Sequence, residues 1–401
     1  MDYCRIIWVI CLLSIVQGKE IDTGRFNLKK LFRNDNKVFD VTDYKAVGDG
    51  ITNDAQAFLD AWGEMCNTIE NGVTLLVPDR TFLLSNVNFS GPCKLENPIV
   101  QVNGKIVAPK KGQWGGARTD RWIQFYNVNG LTINGSGQID GQGSTWWDVP
   151  ISDSKSQWSS ALTLENCNGC QLSELTHVNS QRNHISISGC DNVVISNIHI
   201  IAPEDSPNTD GIDISLSQNI RIENSFIGTG DDCVAINGGC NRPIIGVTCG
   251  PGHGISIGSL GAQGRDETVE EVHVQNVNFT RTMNGARIKT WEGGKGLATK
   301  ISFDQINLVE VYNPIVIDQH YFSGGAGEPS AVAIKDVTFS GIRGTSTNII
   351  VINLNCSALI PCTNIAMDNI NIQSTKAGAS AYCVNAQGTE SETSPNFPCL
   401  S

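Results

Sequence analysis

Four short polar motifs in the middle of the chain contain the residue types that acid–base chemistry needs. They are NTDG at 208–211, GDD at 230–232, GHG at 252–254 and RIK at 287–289. Together they supply three aspartates, a histidine and two cations. A pair of carboxyl groups can protonate a leaving oxygen and activate water, which is the chemistry of glycosidic bond hydrolysis. Cations beside such a pair suit a substrate that carries carboxylates of its own.

The spacing of these motifs indicates that they stack on one another. From Asp210, the steps to Asp231, His253 and Arg287 are 21, 22 and 34 residues. The first three motifs lead directly into an apolar pair of the Ile-x-Ile type, and we expect the RIK motif to hold the equivalent place on the next coil. Any one motif alone would be ordinary turn chemistry. Their common position predicts one stripe of side chains on rungs about 4.8 Å apart.

A recurring phrase with apolar residues at offsets 0, 2, 5 and 7 indicates the elements that carry this stripe. Its apolar period of 2 is typical of β-strands. The intervals between copies are 23, 27, 52, 29, 31 and 33 residues, and the longest equals two turns of 26. Such a period predicts a solenoid. The copies start at Cys170, Val193, Ile220, Val272, Ile301, Val332 and Ile365.

A second apolar ladder follows polar, Gly-rich turns between these phrases. Its members are Ile185-x-Ile187, Ile212-x-Ile214, Val234-x-Ile236, Ile255-x-Ile257, Ile315-x-Ile317 and Ile350-x-Ile352. Two or three short strands per turn, repeated in one direction, predict an all-β fold, a single-stranded right-handed parallel β-helix. A β-sandwich or barrel would instead need hairpin turns between consecutive strands.

One segment carries a helical pattern. In AQAFLDAWGEM, which follows Asn53-Asp54, the residues Ala57, Phe58, Ala61, Trp62 and Met65 share one apolar face. Asn53 or Thr52 is the expected N-cap. Because a solenoid exposes unpaired edges at its end, we expect this helix to cap the N-terminal end of the β-helix.

The first residues have the pattern of a secretory signal. A short apolar run at 6–16 follows Arg5 and ends in small residues, and it is too short to span a bilayer. We therefore predict a signal peptide at 1–18, an N-terminal extension at 19–37 and a β-helix catalytic domain at 38–401. The mature chain is expected to be secreted to the extracellular space or cell wall.

The cysteine count agrees with export. Of 14 cysteines, 12 remain after the predicted signal, and an even number favours disulfides. The pairs Cys356/Cys362 and Cys383/Cys399 are the easiest to bridge, and Cys167-x-x-Cys170 has an alternative interpretation as a redox or zinc motif. N-glycosylation sequons begin at Asn88, Asn134, Asn278 and Asn355.

The composition excludes several classes of protein. With 28 Lys+Arg and 40 Asp+Glu the net charge is −12, which argues against a nucleic-acid partner. Its 40% hydrophobic residues exclude bulk disorder. We expect no membrane partner and a monomer. The same charge should repel a polyanionic substrate at long range, although salt screens charges beyond about 10 Å at 0.1 M.

The motifs, taken together, resemble the polygalacturonase family of glycoside hydrolases. The segments that carry the resemblance are SPNTDGIDI, GTGDDCVAI, GPGHGISIGSLG and NGARIKTW, and the opening VFDVTDYKAVGDGITNDAQAF is similar to plant members. The resemblance runs from about Val38 to the C-terminus. It implies a right-handed parallel β-helix that hydrolyses α-1,4-linked galacturonan in pectin with inversion, without a metal or other cofactor.

The resemblance also implies roles for the polar stripe. Asp231 would be the general acid, and Asp210 and Asp232 would position the nucleophilic water. His253 would maintain the protonation and hydrogen bonds of the acid. Because close carboxylates repel each other, we expect the pKa of Asp231 to be raised.

Four further residues would bind substrate if the resemblance holds. Arg287 and Lys289 would bind a galacturonate carboxylate, while Asn208 and Tyr321 would shape the adjoining subsites. Tyr312 stands near Tyr321 in sequence as the alternative aromatic residue.

Three other functions remain open on the sequence. One is a hydrolase of rhamnogalacturonan on the same scaffold, and another is a calcium-dependent pectate lyase, for which the stripe lacks an obvious calcium cluster. The third is an inactive wall protein that binds pectin. Whether cleavage is internal or from chain ends is likewise open.

Overall fold

The computed structural model describes residues 37–70, 72–114, 120–147, 158–240, 243–322, 329–376, 378–396 and 400. Residues Lys37–Ser401 form one compact unit. The predicted signal peptide at 1–18 and all but the last residue of the predicted extension at 19–37 lie outside the described residues. None of the helices in the described ranges is long and apolar enough to cross a membrane.

The described part contains one α-helix, four short 3-10 helices and 31 strands. The α-helix, α1, spans Ala55–Asn67. The 3-10 helices span Val41–Tyr44, Lys111–Gln113, Gly143–Thr145 and Ala262–Gly264. Strands β1–β31 span, in chain order, Val38–Asp40, Asp49–Asn53, Thr74–Val77, Thr81–Leu83, Val87–Ser90, Ile99–Val102, Lys105–Val107, Arg121–Tyr126, Thr132–Asn134, Gln138–Asp140, Ser160–Glu165, Gln171–Ser173, Thr176–Val178, Ile185–Ser188, Asp191–Ser196, His199–Ile201, Ile212–Glu223, Phe226–Gly228, Val234–Cys240, Ile244–Ile245, Thr248–Cys249, Ile255–Leu260, Asp266–Thr280, Asn284–Trp291, Lys295–Val311, Asn313–Phe322, Ala331–Ser346, Ile350–Asn355, Cys362–Ser374, Ser380–Val384 and Ala386–Ser394.

The strands stack coil upon coil as a parallel β-helix, which confirms the predicted architecture. Every strand pair in the described ranges is parallel, so the hairpins of a sandwich or barrel are excluded there. The second apolar ladder is one in-register column inside the coils. It runs through Ile185, Ile212, Val234, Ile255, Ala286, Ile315 and Ile352. The predicted member Ile350-x-Ile352 is wrong by two residues, because Ile315 and Ile317 pair with Ile352 and Leu354.

The first apolar ladder is correct except for one copy. Val272 pairs with Ile301 as predicted, but Ile301 pairs with Val337 and not with Val332. The copy at 332 therefore begins five residues early, because the residue in register with Ile301 is Val337, at offset 5 of that copy. Phe303 and Phe339 show the true register, since their rings stack at 5.6 Å between centroids.

Helix α1 covers the N-terminal end of the interior, as expected. All five predicted core positions are buried, and Phe58 and Trp62 contact Phe82 and Phe89 at ring-centroid distances of 5.4 and 5.3 Å. The cap prediction is wrong by one residue. Asp54 is the N-cap, and its carboxylate accepts from the backbone amides of the preceding loop, while the side chain of Asn53 accepts from the amide of Ala55 at 3.2 Å.

Three disulfides stabilise the described part, and the predicted Cys356–Cys362 bridge is one of them. Of the other two, Cys66–Cys93 joins α1 to the loop after β5, and Cys233–Cys249 joins the turn before β19 to β21. Cys383 is disulfide-bonded, but Cys399 lies outside the described residues. The thiols of Cys167 and Cys170 are free and buried in the core, a packing position that supports neither a redox nor a zinc motif.

Candidate active site

The register of the coils brings the first three motifs to one position, and it corrects the fourth. Two residues before each rung of the inner ladder stand Asp210, Asp232, His253 and Asn284. The expectation that Arg287–Lys289 holds this place is therefore wrong. The RIK motif lies within β24, three to five residues further along the chain than Asn284. Its long side chains nevertheless bring the charged groups of Arg287 and Lys289 to Asp232.

The GHG motif has a backbone reason for its last glycine. Gly254 has φ +88°, and a Cβ there would lie 2.2 Å from the carbonyl oxygen of Asn284 on the next coil. Only glycine tolerates both conditions. The tight approach lets the amide of His253 donate to the carbonyl of Asp231 at 2.7 Å, which fixes the histidine against the acidic coil.

Asp232 is the buried centre of a charged network. Its carboxylate accepts from Arg287 Nη2 at 2.5 Å and from Lys289 Nζ at 2.8 Å. Ser256 Oγ donates to it at 3.0 Å and itself accepts from Arg287 Nε at 2.8 Å. Both cations are about as buried as a core residue, with 8% of each side chain exposed. In the free protein they neutralise Asp232, a pairing that charge spacing alone did not indicate.

Asp231 sits between His253 and Asn208. His253 Nδ1 lies 2.9 Å from one carboxylate oxygen, and Asn208 Nδ2 donates to the other at 3.2 Å. Asn208 reaches it from a left-handed backbone conformation, φ +55°, which asparagine tolerates better than most residues. Burial by itself raises the pKa of Asp231, but the bond and charge of His253, together with Lys289 and Asn208, lower it to about 2. The expected upward shift is thus wrong for the free protein.

Asp210 behaves in the opposite way. Burial, followed by the charges of Asp213, Asp231 and Asp232, raises its pKa well above the usual range. Its carbonyl oxygen accepts from both the amide and the ring Nδ1 of His184, at 2.8 and 3.1 Å. The pKa values of carboxyl groups on successive rungs are thus shifted in opposite directions in the free protein.

Two residues of this site were missed on the sequence. Asp213 lies on β17, three residues after Asp210. Burial and the charges of Asp232 and Asp231 raise its pKa to about 7, against an opposing effect of Arg182. Ser256 is the other. The signal was present, because Asp213 and Ser256 share one outward column with Arg287 on β17, β22 and β24.

Tyr321 joins the cations from the next coil. Its ring lies 4.9 Å from Lys289 Nζ and 5.8 Å from the guanidinium carbon of Arg287, within cation–π range. It also lines a groove of about 930 Å³ with Arg182, Arg265 and Trp291, among others. Tyr312 lies elsewhere, in a cavity beside His253. The structure thus separates the two tyrosines that the sequence left as alternatives.

The acidic cluster could in principle attract a cation. Asp231, Asp232 and His253 each offer a ligand atom, and these atoms lie within 4.8 Å of one another. Their ligand atoms already have other partners, however. Asp232 contacts two side-chain cations, and Asp231 contacts His253 and Asn208. Calcium needs six to eight oxygen ligands, so these residues do not fit a calcium site.

Fold and site together are those of a glycoside hydrolase on a parallel β-helix. Residues 66–394 match the family described as Glycosyl hydrolases family 28, and the chain belongs to that family. It is 46% identical over 381 residues to a probable polygalacturonase of Arabidopsis thaliana, covering 92% of this chain and 82% of that protein. It is 42% identical over 342 residues to a polygalacturonase of Persea americana, covering 83% and 73%.

A solved structure gives the same result. The endo-xylogalacturonan hydrolase of Aspergillus tubingensis superimposes with a TM-score of 0.76 at 26% sequence identity. The similarity covers 88% of this chain and 98% of that one. The predicted family and fold class are therefore confirmed.

Proposed function

We propose that the protein hydrolyses α-1,4-galacturonosyl linkages of homogalacturonan, the acidic backbone of pectin, with inversion. The observation that carries this proposal is the cluster of three carboxylates, one of which pairs with two buried cations and another with His253. Relatives named polygalacturonase support the same substrate. Secretion to the cell wall and a monomeric state are part of the proposal, and three disulfides favour an oxidising compartment.

In this mechanism Asp231 donates the proton to the leaving oxygen. Its pKa is low in the free protein because His253 and Lys289 stabilise the anion. A substrate carboxylate that approaches Lys289 would neutralise part of that charge, and exclusion of water would add a desolvation penalty. Both effects raise the pKa of Asp231. Binding of the acidic sugar therefore favours the protonated form of Asp231, which can then act as the general acid.

Asp210 and Asp232 are proposed to hold the attacking water. Asp232 is held in place by its two cations, so its carboxylate oxygens can orient the water. Asp210 accepts the proton of the water in its ionised form, and protonation of Asp231 favours that form because it removes one of the negative charges that raise the pKa of Asp210. Inverting enzymes separate donor and base by about 6.5–9.5 Å, which leaves room for that water.

Arg287, Lys289, Asn208 and Tyr321 are proposed to bind the sugar next to the cleaved bond. Tyr321 is 42% exposed, and its ring packs over the two cations. An aromatic surface beside a cation is suited to a sugar ring that carries a carboxylate. Because both cations already contact Asp232, the substrate carboxylate would share them with that residue and would not replace it.

Product analysis on polygalacturonate tests this function. New reducing ends of inverted configuration by NMR are expected, without the ultraviolet absorbance of unsaturated ends that a lyase produces. The same assay on rhamnogalacturonan addresses the second hydrolase hypothesis. Binding without cleavage of either polymer would show an inactive pectin-binding protein and overturn the proposal. Product sizes over time distinguish internal from terminal cleavage.

A further inference from the structure

A second cavity opens on the other side of His253 from Tyr321. It has a volume of about 570 Å³, within the usual range for small-molecule sites. Its walls include Glu204, His253, Arg281, Met283, Glu310 and Tyr312. We name it the Met283 pocket. Because His253 is also the partner of Asp231, any sugar in this pocket borders the bond that is cleaved.

The register places its apolar side chains directly along the catalytic stripe. Gly252 pairs with Thr282, and Asn284 pairs with Asn313. The register shifts by one residue before Ile255 pairs with Ala286, so both Met283 and Asn284 lie beside His253 on the next coil. Tyr312 follows Met283 on the coil after that. With about 4.8 Å between rungs, the two side chains continue the stripe for about 10 Å beyond the histidine.

An asparagine ladder holds this surface in place. Asn284 Nδ2 donates to the carbonyl of His253 at 3.1 Å, and Asn313 Nδ2 donates to Asn284 Oδ1 at 3.1 Å. Asn348 Nδ2 continues the ladder to Asn313 Oδ1 at 3.3 Å. The backbone that presents Met283 and Tyr312 is thus tied to the catalytic coil.

The chemistry of the Met283 pocket differs from that around Lys289. Met283 and Tyr312 are 50% and 48% exposed, so they present an apolar surface to the Met283 pocket. Two carboxylates, Glu204 and Glu310, share the walls with a single cation, Arg281. This balance opposes a further carboxylate, whereas an uncharged group with a methyl would gain apolar contact.

We propose that the Met283 pocket selects a methyl-esterified galacturonate, next to a free galacturonate held at Lys289. The proposal rests on the polygalacturonase function of the same site. On this proposal the enzyme cleaves partly esterified pectin, and the methyl ester lies at a fixed position relative to the cleaved bond. Met283 and Tyr312 are the residues that determine this preference.

The test compares kcat/KM on randomly methyl-esterified pectin with kcat/KM on de-esterified polygalacturonate, at one pH and salt concentration. Met283→Lys and Tyr312→Lys are each expected to lower the ratio of the two values about fivefold or more. Leu359→Lys is the matched control, because Leu359 is 58% exposed and does not line the pocket. Its ratio should equal that of the wild type. Mass spectrometry of wild-type products should find the ester enriched at one sugar beside the new chain ends.

Three outcomes would overturn the proposal. The first is an unchanged ratio in both lysine variants, and the second is a random ester position in the products. The third is an Arg281→Ala variant that loses activity mainly on de-esterified substrate, since Arg281 would then bind a free carboxylate. In each case wild-type hydrolysis of polygalacturonate would persist, so the proposed function would stand. A wild-type protein inactive on both polymers would overturn the function and this inference together.

Discussion

Neighbouring aspartates in this site have different properties because their partners differ. Asp232 faces two cations, Asp231 faces an imidazole and an amide, and Asp210 is buried among other acids. On two successive rungs the pKa of Asp210 is therefore raised and that of Asp231 is lowered. Electrostatic environment, and not residue type, assigns the proposed roles.

The first prediction concerns the proton donor. Asp231→Asn preserves shape and the bonds from His253 and Asn208 in part, but it removes the acidic proton. We expect kcat on polygalacturonate to fall by at least about 10³, with circular dichroism and melting temperature near those of the wild type. Asp205→Asn, an exposed acid in the preceding turn, is the control and should stay active. Near-normal turnover of the Asp231 variant would remove the assignment.

The second prediction concerns pH. Asp213 has a pKa of about 7, so raising the pH through 7 adds a negative charge close to Asp231 and Asp232. That charge disfavours a polyanionic substrate, and we expect wild-type kcat/KM to decline between pH 6 and pH 8. Asp213→Asn stays neutral, so its decline should be about threefold smaller. The pH profile of both proteins checks this, and parallel profiles would contradict it. Asp205→Asn again serves as the control.

At the scale of elements, the solenoid needs its ends protected. The apolar face of α1 buries the first, N-terminal coil, whose interior would otherwise meet water. Trp62 contributes most of the aromatic contact, because its ring packs against both Phe89 and Phe125 and its Nε1 donates to the carbonyl of Ser90 at 3.2 Å. The helix is thus a structural part of the core.

The third prediction follows from that packing. Trp62→Ala should lower the free energy of unfolding by about 3–5 kcal/mol, the usual effect of truncating a buried aromatic residue. Thermal or urea unfolding measures it. Gln56→Ala, on the exposed face of the same helix, should change stability by less than about 0.5 kcal/mol. Equal effects of the two variants would show that α1 does not cap the core.

At the scale of the whole molecule, buried histidines link stability to acid pH. Burial, and the nearby charge of His184, lower the pKa of His177 to about 3, and burial lowers that of His184 to about 4. An unfolded histidine titrates near 6.5. Their contribution to stability is therefore complete above pH 6.5 and is lost as the pH falls towards 3–4. Asp210 and Asp213, with raised pKa values, act in the opposite direction.

The fourth prediction isolates the histidine contribution. Neither ring nitrogen of His177 has a hydrogen-bond partner among the described residues, so a neutral replacement breaks none there. Between pH 7 and pH 4.5, His177→Gln should lose about 2–3 kcal/mol less stability than the wild type. Urea unfolding at both pH values measures the difference. The exposed His273→Gln variant should follow the wild type, and an identical loss in His177→Gln would contradict the linkage.

The sequence by itself determined the architecture and the stacking of the first three polar motifs. Apolar residues at period 2 and polar turns at coil spacing can be satisfied only by stacked parallel strands, and the stacking places Asp210, Asp232 and His253 together. The pattern is local and repeats many times, so the out-of-register copies at Val332 and Ile350 do not affect it.

Only the tertiary structure decided which charged side chains of the site contact each other. Arg287 and Lys289 reach Asp232 from β24 through long flexible side chains, and Asp213 is charged or neutral according to burial that no local pattern records. Long side chains and desolvation depend on distances across coils, whereas a sequence specifies order along one chain. For that reason the clustering of Asp210, Asp232 and His253 was predictable, while the pKa shifts and partners of the site residues required the folded molecule.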